Sequence, residues 1–248
     1  RYGAMALSWS MDKIGPLCRT VEDCAVVFDS IKGPDCRDLT VVNEPFNWNP
    51  NSGIADLKVG YVKAAFKADE KNKAGNEAVL EALRSLGLEL IPIELPDYPV
   101  LDMSFLLRVE AAAAFDELTR SGLDDLMVSQ EDGAWPNTLR AARLVPAVEY
   151  IQANRLRTLI IQEMAKLMDA IYVYITPAGD RINLTLTNLT GHPTVVVPSE
   201  LSEEGVPNNS VTFTGRLYGE AETLTLAKAY QDATGFHLRH PPMAFDLE

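Results

Sequence analysis

Apolar residues recur along this chain with two periods, and the changes of period mark its elements. Ala25, Val26, Val27 and Ile31 make an apolar helical face. Thr20-Val21-Glu22-Asp23 ahead of them reads as a capping box with aspartate in the glutamate position, and Gly33-Pro34 stops the helix. Residues 57–62 (Leu-Lys-Val-Gly-Tyr-Val) form a short strand. Val79, Leu80, Leu83 and Leu86 predict a helix over 74–86, which Gly87 ends, and Leu88 to Leu95 predicts the next strand. Strand, helix and strand in that order predict parallel neighbours joined by a right-handed crossover. Residues 101–169 read as mostly helical: Ala111 to Ala114 sit in one helix, and Leu156, Ile160, Met164 and Leu167 line another, with Trp135-Pro136 breaking the region between them. Strands return at Ile171–Ile175, Thr194–Val197 and Ser210–Thr214. A last helix from about Glu220 to Ala233 turns Leu224, Ala227 and Tyr230 inward. Residues 1–19 read as loops with short strand pieces, and 43–56, with Pro45, Pro50 and Gly53, as a turn-rich loop. The pattern predicts an α/β fold with helices on both faces of the sheet.

Composition narrows the function classes. The 248 residues are 47% hydrophobic and 23% charged, enough for a sizeable core. Lys and Arg number 22 against 35 Asp and Glu, a net charge of -13 that repels a phosphate backbone and argues against nucleic acid. Asp69-Glu70-Lys71 and Ser202-Glu203-Glu204 read as solvated loop tips. Cys18, Cys24 and Cys36 are odd in number and lack metal-ligand spacing, so buried or half-buried thiols are expected rather than a disulfide framework or zinc site. No apolar run approaches the ~20 residues of a membrane span. The opening Arg1-Tyr2-Gly3-Ala4 carries neither an initiator Met nor a signal peptide, which reads as a fragment of a longer, cytoplasmic protein.

Local motifs yield little chemistry. Ser10-Met11-Asp12-Lys13 fits a Ser-x-x-Lys pattern, but Gly15-Pro16 prevents the helix that would aim the serine at the lysine. His237 and His240 follow Gly235 and run into Pro241-Pro242, a surface pair rather than a metal site. His192 stands in a turn, Gly191-His192-Pro193, with no serine or cysteine elbow near it in sequence. Asn183, Asn188 and Asn208 match glycosylation acceptors by chance, in polar turns and strand ends. No phosphate-binding glycine loop and no Gly-x-Ser-x-Gly occurs, so no metal and no cofactor is expected.

The two ends of the chain are more informative. Residues 1–16, Arg-Tyr-Gly-Ala-Met-Ala-Leu-Ser-Trp-Ser-Met-Asp-Lys-Ile-Gly-Pro, followed by Arg19-Thr20-Val21-Glu22-Asp23, resemble the block after the catalytic region of amidase-signature enzymes. Asn188-Leu189-Thr190-Gly191-His192-Pro193, Val196-Val197-Pro198, Phe213-Thr214-Gly215-Arg216 and Ala229-Tyr230-Gln231-Asp232-Ala233-Thr234 resemble that family's C-terminal block, and Asp169 to Pro177 the strand and Thr-Pro turn before it. These blocks stand in the family's order across nearly the whole chain. The resemblance implies a large mixed sheet between helices and hydrolysis of an amide carbon–nitrogen bond in a small molecule. In the family a lysine, a bridging serine and a nucleophilic serine in a Gly/Ser-rich stretch carry the reaction. All lie upstream of the block at Arg1, so residues 1–248 read as the C-terminal portion of one amidase domain, without catalytic residues of its own. Thr176, Asn188 and His192 are expected to line the substrate pocket, gathered at one edge of the sheet; Arg143, Tyr150 and Arg155 on the long helix are weaker candidates. A small-molecule amide is the expected partner, with homo-oligomers possible. A second reading is the glutaminase subunit of tRNA-dependent amidotransferase. Against it, only residues 178–187 separate Pro177 from Asn188, and Arg181 stands where that subunit's glutamine-binding Asp would fall, beside Asp180. A third is a non-catalytic module pairing with a separate N-terminal chain.

Overall fold

The computed structural model describes residues 2–240; Arg1, Pro241 and Pro242, named above, lie outside the described residues. In chain order the elements are α1 (Val21–Ile31), β1 (Val59–Val62), α2 (Lys63–Ala68), α3 (Lys73–Ser85), β2 (Leu90–Ile93), α4 (Phe105–Ala114), α5 (Asp116–Arg120), α6 (Trp135–Ala142), α7 (Ala147–Ala170), β3 (Val173–Pro177), α8 (Arg181–Thr190), β4 (Thr194–Leu201), β5 (Pro207–Gly215) and α9 (Glu220–Thr234). The five strands form one mixed sheet in the order β2-β1-β3-β5-β4. β1 is parallel to β2 and to β3, as the strand–helix–strand pattern predicts, while β5 is antiparallel to β3 and β4. β4 therefore runs parallel to β3, and α8 crosses β5 to join them.

Strand alternation sends side chains to two cores. Val59, Val173, Ile175, Val197, Val211 and Phe213 face one layer, with Ala25 of α1, Leu83 of α3 and Leu226 and Tyr230 of α9. Tyr174 and Val62 face the other, with Leu106 of α4, Ile160 and Met164 of α7 and Leu186 and Leu189 of α8. All five residues of β3 are buried, as a strand covered on both faces must be. Each large side chain fully buried in these layers contributes about 1.5–3 kcal/mol. Helices thus cover both faces, as expected.

Local chemistry explains most boundaries. Thr20 caps α1 by accepting a hydrogen bond from the Asp23 amide, and Gly87 takes φ +87° after α3. Several expectations need correction. Trp135-Pro136 opens α6 instead of breaking the region, because proline in a first helical turn removes no helical hydrogen bond. Arg143 follows α6 and does not lie on the long helix α7. No strand forms in residues 2–19. Asn183 and Asn188 lie on α8, a helix over residues read above as a short connection and a turn. Cys18 and Cys36 are exposed and only Cys24 is half-buried, since Cys18 and Cys36 lie in loops outside either core. No described helix is long and apolar enough to cross a membrane.

Candidate functional site

Residues 7–13 form a strap without regular secondary structure across α4, α7 and the end of α8. A turn stiffens it: the amides of Met11 and Asp12 donate to the Ser8 carbonyl at 3.2 and 2.8 Å, and the Leu7 amide donates to the Asp12 carboxylate at 2.8 Å. Its chief anchor is Glu110 of α4, 1% exposed. One Glu110 oxygen accepts from the Ser8 hydroxyl at 2.5 Å and the Ser10 amide at 3.1 Å. The other accepts from the Ser10 hydroxyl at 2.6 Å and the Tyr150 phenol at 3.0 Å. Burial opposes ionisation of this carboxyl most strongly, but the hydrogen bonds from Ser10, Ser8 and Tyr150 together outweigh it and bring its pKa below the ordinary value. A carboxylate so stabilised is a weak base. It holds the serines rather than activating them.

Two cations complete the cradle. Arg157 of α7 donates to the Ser10 hydroxyl at 2.7 Å, the Ser10 carbonyl at 2.9 Å and the Leu189 carbonyl at 2.5 Å. Lys13 donates from Nζ to the carbonyls of His192 at 2.9 Å and Thr187 at 3.3 Å. Thr187 and Leu189 lie in the last turn of α8, where the helix dipole favours positive charge; the Thr187 carbonyl also accepts from the Gly191 amide at 2.9 Å. Although Lys13 as a whole reaches solvent, desolvation around its amine lowers the pKa to about 8. Ser10 and Lys13 therefore bind different partners, and the Ser-x-x-Lys pattern describes no reacting pair.

His192 is 1% exposed, and its Nδ1 lies 2.8 Å from the Thr190 hydroxyl. That hydroxyl donates its one proton to the Leu186 carbonyl at 2.8 Å, so Nδ1 is assigned as the donor to Thr190 and the ring as neutral. Desolvation, then the neighbouring charge of Lys13, lowers the His192 pKa to about 4. Thr176 is fully buried and accepts from the Asn183 side-chain amide at 3.1 Å. Asn183 in turn accepts from the Tyr174 phenol at 2.8 Å. Asn188 is half-buried on α8.

Thr176 and α8 share one face of the sheet, but the three expected pocket residues do not gather at one edge. Thr176 is level with Thr212 and Val196, near the carboxyl end of β3, whereas Thr194, two residues past His192, is level with Tyr174. The ten residues of α8 carry the chain back about 15 Å. Asn188 and His192 thus stand at the strap's end of α8, and Thr176 at the other. Clefts of about 230 Å³, beside Phe105, Glu149 and Leu156, and about 330 Å³, beside Asn47, Tyr218 and Thr225, are lined by none of the three. Of the weaker candidates, Tyr150 binds Glu110, Arg143 pairs with Asp116, and Arg155 donates to Gln152 at 3.2 Å. Glu110 and Arg157 had no signal in the sequence, because their partners stand 100 and 147 residues away. Among the described residues, no group of three or more His, Cys, Asp or Glu is placed to hold a metal ion.

The family model described as Amidase matches residues 1–224. An amidase from Pseudomonas putida is 28% identical across 97% of this chain and 57% of its own length. The A-type component of the Glutamyl-tRNA(Gln) amidotransferase of Geobacter metallireducens is 27% identical across 96% of this chain and 58% of its own length. The chain thus spans under three-fifths of these relatives. In fold it matches a peptide amidase from Stenotrophomonas maltophilia with a TM-score of 0.77 and 21% identity, over 98% of this chain and 57% of that one. It likewise matches an amidase family protein from Bacillus anthracis str. Ames with a TM-score of 0.79 and 20% identity, over 97% and 52%.

Proposed function

Because this chain belongs to the amidase family, we propose that it is the C-terminal portion of an amidase domain hydrolysing a carbon–nitrogen bond of a small-molecule amide. The observation that carries this reading is the family match over residues 1–224 together with coverage of only 57% of the Pseudomonas putida amidase. Surface chemistry supports it. Met5 ahead of the strap and Trp9 within it are 84% and 50% exposed, and Val196 of the edge strand β4 is 56% exposed. The unpaired edge of β4 is open to pairing with a further segment. The nucleophile and its lysine base would come from that segment, and residues 1–248 would contribute no catalytic group. A small-molecule amide is then the partner, and the net charge of -13 argues against nucleic acid.

Within the pocket the three residues divide by burial. Asn188, half-buried at the strap end of α8, is the one that would meet substrate. His192 would support the turn from behind, and Thr176 would hold α8 through Asn183. The test is turnover of aliphatic and aromatic amides by the protein carrying the complete domain. An Asn188→Ala variant with raised KM or lowered kcat and unchanged melting temperature supports the assignment; unchanged kinetic constants overturn it.

A second reading, a glutaminase component of an amidotransferase, is favoured by the Geobacter metallireducens relative. Arg181 at the expected aspartate position speaks against it. The neighbouring Asp180 already accepts from the amides of Ile182 and Asn183 as the cap of α8. Glutamine turnover separates the readings.

A further inference from the structure

We infer that Glu110 is a positioning residue for the proposed hydrolysis: its grip on Ser8 and Ser10 fixes the strap, and the strap fixes the Asn188–His192 corner. The inference rests on the amidase reading of this chain. Burying a carboxylate is a costly way to hold a loop, and an apolar contact would serve as well for stability alone. Glu110 is 1% exposed and takes all four of its hydrogen bonds from neutral groups. Its nearest bonded cation, Arg157, stands one hydroxyl away, on Ser10. What directional bonds add over apolar contact is register. Ser8 and Ser10 alternate along the strap and meet the same carboxylate. A slip of one residue would bring Trp9 together with Leu7 or Met11 to it, and one indole N–H would stand in place of two hydroxyl donors.

Register matters because the strap acts on α8 at a second place. Lys13, three residues beyond Ser10, holds the carbonyls of Thr187 and His192, which bracket Asn188. Arg157 ties Ser10 to the Leu189 carbonyl on its other side. Releasing Ser10 therefore loosens both cations from the last turn of α8. Glu110 makes no hydrogen bond to Asn188, the residue proposed to meet substrate. It acts through Ser10, Arg157 and Lys13.

The experiment compares wild type, Glu110→Gln and Ser10→Ala in the protein carrying the complete domain. Hydrogen exchange is followed over residues 7–13 and 187–192, and kcat and KM are measured for a turned-over amide. We expect exchange in both segments of Glu110→Gln to quicken about tenfold or more while β3 and β5 stay protected. We expect kcat to fall about tenfold or more with KM within about threefold. Ser10→Ala, a milder change, should show the same pattern at smaller amplitude and serves if Glu110→Gln does not fold. Faster exchange with unchanged kcat makes Glu110 a plain clamp and overturns the positioning role. Unchanged exchange overturns the grip itself. No turnover of any amide by wild type sinks the amidase reading and the positioning role together, whereas wild-type turnover with an unaffected Glu110→Gln kcat sinks the positioning role alone.

Discussion

His192 should make the protein acid-sensitive in a pH window of its own. The ring is buried and neutral, with a pKa of about 4 against the ordinary 6.5. The unfolded chain takes up a proton near 6.5 and the folded chain only near 4, so stability falls as pH drops between those values. At about 1.4 kcal/mol per pH unit across that window the loss totals about 3.5 kcal/mol. His192→Asn removes the titration and keeps an amide donor for Thr190, near the place of Nδ1. Urea unfolding of both proteins between about pH 7.5 and about pH 4.5 isolates the effect, because carboxylates common to both cancel in the difference. Wild type should lose about 2.5 kcal/mol relative to the variant by about pH 4.5. A difference that stays constant within about 0.5 kcal/mol would refute the argument, and with it the burial of a neutral His192 beside Lys13.

Two further substitutions probe local packing. Gly215→Ala places a Cβ against the Thr223 hydroxyl and 3.0 Å from the Gly219 carbonyl, at the junction of β5 and α9. It should cost about 2–3 kcal/mol in urea unfolding, and a neutral result would mean α9 docks loosely. Asp180→Ala removes the cap of α8 and should lower stability by about 1 kcal/mol while speeding exchange of the Ile182 and Asn183 amides. Unchanged exchange there would count against the cap.

Elements whose periodicity and caps agree were legible in the sequence. For α1 the Thr20 cap placed the helix, but of the expected face only Ala25 is buried, beside Val21, while Val26, Val27 and Ile31 stand exposed; β1–α3–β2 followed from apolar spacing with Gly87 as the stop. For α8 the signals were present but were read as a turn: Asp180 at the cap, Leu186 and Leu189 on one face, and Gly191 with φ +84° after its end. Missing that helix put Thr176 and His192 at one edge, when a helix must return the chain along the sheet. The cradle was illegible for a different reason. Serines, a glutamate and an arginine scattered along the chain carry no period, and only the packing of α4 against α7 brings them to the strap. The family resemblance was legible because its blocks are contiguous and ordered.

That residues 1–248 contribute no nucleophile to the proposed hydrolysis is the central claim, and active-site labelling tests it most directly. A fluorophosphonate probe reacted with the protein carrying the complete domain should modify one serine, located by peptide mass spectrometry outside these residues, and amide turnover should stop in proportion. Modification of Ser8, Ser10 or any other serine within residues 1–248, with matching loss of turnover, would contradict it.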